Sequence, residues 1–220
     1  MSMLKEQDKK AIRERLAQLK GNVRIINFTQ ELECEFCKDT RELLKDVSEL
    51  SNKISFESYD FVNDKEKVQE FNIDKIPATI VMGEKDYGIR FYGIPAGYEF
   101  ASLLEAIEMV GNGQSTLSPK SIAKIKDVKK PVRLQVFVTP TCPYCPAAVV
   151  TAHKLAMANP MITGDMVEAT EFPHLSMKYN VRGVPRVVIN EDAHFEGALP
   201  EDAYVERILQ AVSEPIAEEN

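Results

Sequence analysis

The sequence predicts an α/β fold built from one unit repeated in tandem, each copy a central mixed sheet of four or slightly more strands flanked by helices. Three observations predict it. All four cysteines of the 220 residues fall in two short elements, Cys34-Glu35-Phe36-Cys37 and Cys142-Pro143-Tyr144-Cys145. An Ile-Pro or Val-Pro pair follows each element at one distance, with Pro77 and Pro185 both 43 residues after the leading cysteine. Between these markers, β-branched and aromatic runs of strand length alternate with helical patterns, in the same order in both halves.

Each copy opens on a helix. Ile12, Leu16 and Leu19 share one helical face, as do Ile122 and Ile125 after the start signal Ser118-Pro119. Residues 23–29 (VRIINFT) and 132–139 (VRLQVFVT) read as strands that end just before the cysteines, and each cysteine pair opens a second helix. A second strand is expected over 56–61 (FESYDF) and 167–172 (VEATEF), followed by a short helix. A third is expected over 76–81 (IPATIV) and 184–189 (VPRVVI), and Phe91-Tyr92-Gly93 and Phe195-Glu196-Gly197 mark a fourth. Phe100, Leu103, Leu104 and Ile107 then match Val205, Ile208, Leu209 and Val212 at a constant offset of 105 and at helical spacing. The seam is the run 111–115 (GNGQS), a helix stop and polar linker that divides the chain into units 1–115 and 116–220.

Composition narrows the function classes. A hydrophobic content of 44% is enough for a core in each unit. The net charge of −7 offers no basic field for nucleic acid or anionic lipid, and both halves are mildly acidic. Apolar stretches fall far short of a membrane span. The charged, helix-like N-terminus lacks an apolar leader core, so a cytoplasmic location is expected. Close cysteine pairs in that compartment point to catalysis or metal binding rather than a disulfide scaffold.

Thiol–disulfide exchange explains the arrangement best. A thiol attacks a disulfide only as thiolate, and a leading cysteine at a helix start meets free backbone N–H groups and the positive dipole end. Pro143 suits the first helical position because its missing N–H is not needed there. The second cysteine, one turn on, can reach back, so Cys34 or Cys142 forms a mixed disulfide and Cys37 or Cys145 resolves it. A proline ahead of a strand at fixed distance from a dithiol is a candidate cis peptide. A cis bend at Pro77 or Pro185 turns the backbone of Ile76 or Val184 toward an incoming chain, which can add to that edge as a strand.

The strand, Cys-x-x-Cys helix, Ile/Val-Pro pair and Gly-containing final hairpin resemble the thioredoxin fold, and Cys142-Pro143-Tyr144-Cys145 resembles the glutaredoxin active site. Two such units, with 139–146 (TPTCPYCP), 164–169 (GDMVEA) and 91–97 (FYGIPAG), resemble the two-domain, glutaredoxin-like protein disulfide oxidoreductases of thermophilic prokaryotes. The resemblance covers nearly the whole chain. It implies reduction, oxidation and isomerisation of protein disulfides, with catalytic Cys34, Cys37, Cys142 and Cys145 and substrate-positioning Pro77 and Pro185. Its partners are protein substrates with disulfides or dithiols, and neither a cofactor nor a metal is expected. No G-x-G-x-x-G fingerprint is present, so electrons are expected from a separate, thioredoxin-reductase-like donor. The oligomeric state stays open, a homodimer included.

Departures from the family mark where the two units differ from it and from each other. The place of the buried aspartate of thioredoxins holds Asn27 in one unit and Val136 in the other, and neither accepts a proton. Asp60 and Glu171 read as the ends of equivalent strands, solvated by default and proton shuttles as the alternative. The glutathione-holding element of glutaredoxins is reduced to residues 197–202 (GALPED). Glu31, Glu33 and Glu35 crowd the first site, whereas 139–146 carries no charge. Nearby negative charge disfavours a thiolate, so Cys142 and Cys145 are expected to be the more reactive and more oxidising pair unless the three carboxylates point into water. His153, His174 and His194 share no motif spacing and read as ordinary polar positions.

Two rival functions differ in kind. An electron-relay module would pass reducing equivalents from a reductase to a peroxidase, although in such modules one site is usually degenerate. A zinc site made of all four cysteines needs its pairs close, within about 15–20 residues in zinc ribbons. Here 104 residues separate Cys37 from Cys142.

Overall fold

The computed structural model describes residues 4–213. In the first half, α1 (Glu6–Leu16) leads into β1 (Val23–Thr29), α2 (Cys37–Ser48), β2 (Ile54–Asp60) and α3 (Lys65–Glu70). The half closes with β3 (Ala78–Met82), β4 (Ile89–Tyr92) and α4 (Glu99–Asn112). The second half repeats that order as α5 (Pro119–Ile125), β5 (Val132–Val138), α6 (Cys145–Ala158), β6 (Ile162–Glu168) and α7 (Pro173–Lys178). It ends with β7 (Arg186–Ile189), β8 (Ala193–Glu196) and α8 (Glu201–Ser213). The turn signals act as their chemistry requires. Gly113 takes a left-handed φ of 67° to stop α4, and the Ser118 hydroxyl accepts from the Ser121 N–H to start α5.

All eight strands among the described residues belong to one sheet, ordered β2-β1-β3-β4-β6-β5-β7-β8. Each half contributes four strands, and the halves join where β4 runs parallel to β6, with Ile89 opposite Gly164 and Tyr92 opposite Val167. Since β1, β2, β4, β5 and β6 run the same way, their C-terminal ends share one edge of the sheet. The loops after β1 and β5, which carry the cysteines, therefore lie on that same edge. Four strand steps separate them, roughly 19 Å at the usual inter-strand spacing.

The core follows the two faces of the sheet. One face packs Leu16, Leu44, Leu103, Ile107, Val149 and Ile208 from the longer helices against β1 and β5. The other holds Phe28, Ile80, Phe137 and Val188 beneath α3 and α7.

Two expectations about elements need correction. The second strand of the second half lies at Ile162–Glu168, and residues 169–171 turn away from it. Gly164 and Asp165, poor strand formers, hid its start. Gly164 sits there because a Cβ would lie 2.8 Å from the Ala152 carbonyl oxygen on α6, and Asp165 because it pairs with Arg133 at 2.6 Å. With this register Asp60 is the equivalent of Glu168, not of Glu171. The second correction concerns the cysteine helices, which begin at the trailing Cys37 and Cys145. Pro143 therefore lies in the turn ahead of the helix, not at its first position.

Charged groups also cross the seam. Arg133 bonds both Asp165 of its own half and Asp74 of the other, the latter at 2.9 Å. Lys75, beside Asp74, stands 3.7 Å above the Tyr92 ring. Arg24, the counterpart of Arg133, pairs with Glu57 on the neighbouring edge strand of its own half. His153, read from sequence as an ordinary polar position, is buried between the halves. Its ring lies 4.8 Å from that of Phe91 with Nε2 3.3 Å from the Arg90 carbonyl, and burial pushes its pKa down to about 4.

Candidate functional site

Strand ends place the cysteines. Four residues separate the end of β1 from Cys34, and three separate the end of β5 from Cys142. Glu33 takes up the extra residue with a φ of 57°, a left-handed conformation that non-glycine residues adopt at some cost. Each pair is closed as its own disulfide, with Cα–Cα distances of 5.4 Å for Cys34–Cys37 and 5.5 Å for Cys142–Cys145. Both trailing cysteines are fully buried, Cys142 is 8% exposed, and Cys34 is half-buried.

The Cys145 N–H donates to Cys142 Sγ at 3.1 Å. This is the contact by which a helix start favours negative charge on sulfur. Cys34 Sγ has no such donor among the described residues.

The Ile76–Pro77 and Val184–Pro185 peptide bonds are cis. The Val184 carbonyl oxygen stands 3.8 Å from Cys142 Sγ. Behind each proline a glycine closes the cluster. Gly93 N–H donates to the Pro77 carbonyl at 2.9 Å, and Gly197 N–H to the Pro185 carbonyl at 2.8 Å.

The settings of the two clusters differ. Glu31, Glu33 and Glu35 are all exposed beside the first. An open groove of about 1140 Å³ adjoins it, lined by Gln30, Leu32, Arg41, Tyr59, Asp60 and Val62 among others. The second is braced by the first half, since Tyr98 N–H donates to the Pro140 carbonyl two residues before Cys142, at 2.9 Å. Gly97 permits that approach, because a Cβ there would lie 2.2 Å from the same oxygen.

The carboxylates at the strand ends also part ways. Asp60 accepts from the Val62 and Asn63 N–H groups, and Glu168 accepts from the Glu171 N–H and the Thr170 hydroxyl. Both thus cap the turn that follows their strand. Glu171 instead reaches into the first half and accepts from the Ile94 N–H at 2.7 Å. Burial, with Glu168 and Glu35 beside it, pushes its carboxyl up to about 7.

Sequence reasoning missed Glu99. It is 1% exposed at the start of α4, accepts from the Ser102 hydroxyl, and has one carboxylate oxygen with no partner among the described residues. Burial pushes it up to about 7. Its spacing from Leu103 already puts it on the apolar helical face, which was the available signal.

No group of three or more His, Cys, Asp or Glu side chains among the described residues could hold a metal ion. No described helix is long and apolar enough to cross a membrane.

The sequence profile of the thioredoxin domain family matches residues 132–210. Over the whole chain, a protein disulfide oxidoreductase from Aeropyrum pernix K1 is 32% identical, with 97% of this chain and 95% of that one covered and a TM-score of 0.89. The chain belongs to the protein disulfide oxidoreductases. It is a thiol–disulfide oxidoreductase with tandem thioredoxin-like units and two Cys-x-x-Cys motifs. The F component of alkylhydroperoxide reductase from Enterococcus faecalis also superposes, at 25% identity and a TM-score of 0.86, covering 93% of this oxidoreductase and 99% of that chain. The F component of the Staphylococcus aureus (strain Mu50) alkyl hydroperoxide reductase is 27% identical over 199 residues, which are 90% of this chain and 36% of that protein. The oxidoreductase spans about a third of the length of the curated relatives it matches.

Proposed function

We propose that both dithiols act on disulfides of protein substrates, with Cys34 and Cys142 attacking and Cys37 and Cys145 resolving. The geometry at the second site carries this reading: a leading sulfur that receives a helix N–H, a trailing sulfur fully buried behind it, and a carbonyl beside the cis proline facing the leading sulfur. The substrate sulfur can be met only by the leading cysteine, and the trailing one takes its turn from behind. Pro77 and Pro185, with Ile76 and Val184, offer the edge on which an extended substrate segment adds. The working units divide near residue 115, in the stretch between α4 and α5. Electrons come from a separate reductase.

The test is insulin reduction and scrambled-protein refolding with the parent, Cys34→Ser, Cys142→Ser and the double variant. Each single variant keeps the turnover of its remaining dithiol, and the double variant loses at least about a thousandfold. A double variant that still turns over would sink the assignment.

The likeness to the F component of alkylhydroperoxide reductase over nearly the whole chain favours a second reading, in which the dithiols hand electrons from a reductase to a peroxidase. Faster turnover with an oxidised, disulfide-form peroxidase partner than with insulin would select it.

A further inference from the structure

We propose that Glu171, a residue of the second unit, relays the proton for disulfide exchange at the first dithiol, Cys34 and Cys37. The inference rests on the reading that this dithiol exchanges disulfides, and it supplies the acid–base group that Asn27 cannot be. Asn27 is fully buried and spends its amide on the Ala78 carbonyl.

Three contacts put Glu171 at that site. Its carboxylate bonds the Ile94 N–H, and the adjoining Gly93 N–H bonds the carbonyl of cis Pro77. A Cβ at Gly93 would lie 2.8 Å from Glu171 Oε1, so the carboxyl lies directly against the turn that lines the cluster. Glu35, between the two cysteines, is close enough to act electrostatically on Glu171. The groups facing the carboxyl are therefore Glu168 from its own strand end, Glu35 from the cysteine turn, and the Ile94 N–H from the loop after β4. Burial, with the two carboxylates beside it, pushes its pKa up to about 7, which suits a group that must both take and give a proton.

The turn-capping work is done by Glu168, as Asp60 does it in the first half, so Glu171 is not needed for that. At Gly197, the counterpart of Gly93 beside the second dithiol, a Cβ would meet nothing within 4 Å among the described residues.

In resolution, the Cys37 sulfur attacks the Cys34 sulfur and a Cys34–Cys37 bond forms as the Cys34–substrate bond breaks. The Glu171 carboxylate takes the Cys37 proton as that sulfur attacks, and the carboxyl so formed gives the proton to the substrate sulfur, which leaves with the electron pair. The relay ends as it began.

The experiment uses the full chain carrying Cys142→Ser and Cys145→Ser, so that only the first dithiol works, with and without Glu171→Gln. The amide oxygen of Gln keeps the acceptor for Ile94 N–H. Turnover of a disulfide-linked fluorescent peptide is followed from pH 5.5 to 8.5, and Cys34 alkylation by iodoacetamide, whose leaving iodide needs no proton, is measured in parallel. The relay predicts a fall in turnover of about 100-fold, loss of the pH step near neutrality and partial rescue by Glu171→Asp, with alkylation changed by less than about threefold. In the reciprocal background, Cys34→Ser with Cys37→Ser, Glu171→Gln leaves turnover unchanged. An unchanged rate and pH profile while Cys34 still exchanges, or an equal fall in both backgrounds, overturns the relay and leaves the exchange reading standing. No exchange by Cys34 in the parent overturns both.

Discussion

Gly93 and Gly197 follow equivalent strands, take φ values of 91° and 85°, and donate to the carbonyl of the cis proline beside their dithiol. Around Gly93 the second half crowds in, and a Cβ would lie 2.6 Å from that of Glu168. Around Gly197 a Cβ would meet nothing within 4 Å among the described residues, since β8 is the edge strand there. One unit, used twice, thus yields two chemically different sites. The difference arises from position in the sheet: among the described residues the first cluster has a neighbour across β4 and β6, and the second has none across β8. Conversely, the cysteine loop of the second site is braced by Tyr98 of the first half, while the first site opens on a groove.

Paired substitutions at equivalent positions sharpen that contrast. The largest effect is expected at Arg24 and Arg133, the second residues of β1 and β5. Arg133→Leu strands the buried Asp165, and urea unfolding should show a loss of about 3–5 kcal/mol. Arg24→Leu removes only a half-exposed pair with Glu57 and should cost about 1 kcal/mol or less. Equal losses would mean that the seam does not set the environment.

Next comes the buried histidine of α6. Burial holds His153 at about 4, below its ordinary 6.5, so between those values the folded chain binds fewer protons than the unfolded one. The stability of the neutral ring is complete above pH 6.5 and drains away as pH falls toward 4, by up to about 3 kcal/mol. The raised carboxyls of Glu99 and Glu171 act oppositely, losing stability as pH rises from 4.5 to about 7, and they cancel when parent and variant are compared. Unfolding of His153→Leu at pH 4.5 and 7.5 should lack the acid-side loss seen in the parent. Substituting its exposed counterpart Lys45 should leave that loss in place.

A smaller difference is expected at the glycines. Gly93→Ala meets both the left-handed backbone and the Glu168 contact, and should cost about 3 kcal/mol. Gly197→Ala meets only the backbone, about 1 kcal/mol. A Gly197 variant as damaged as the Gly93 variant would show that the cross-half contact has little weight.

The sequence made legible what each unit settles for itself. β1, β5 and the closing helix α8 carry their apolar residues at strand or helical spacing because they pack mainly within their own half, as Ile208 does, and α4 keeps that spacing although its main neighbour is α6 of the other half. What escaped was set across the seam. β6 was displaced because Gly164 answers to the α6 backbone and Asp165 to Arg133, neither a strand propensity. His153 looked ordinary because its burial depends on Arg90 and Phe91, some 60 residues earlier in the chain. The three glutamates of the first site looked potent as neighbours in sequence, yet all three are exposed to solvent, where screening weakens their hold on the sulfur. The lack of a backbone donor to Cys34 separates the sites more firmly than those charges do.

The most direct measurement is the pH dependence of alkylation at Cys34 and Cys142 in the fully reduced chain, read peptide by peptide by mass spectrometry. Cys142, with its helix N–H, should reach half-maximal reactivity at a lower pH than Cys34, and well below the value of about 8.5 for a free cysteine. A Cys34 that titrates at or below Cys142, or a Cys142 no more acidic than a free thiol, would contradict the account.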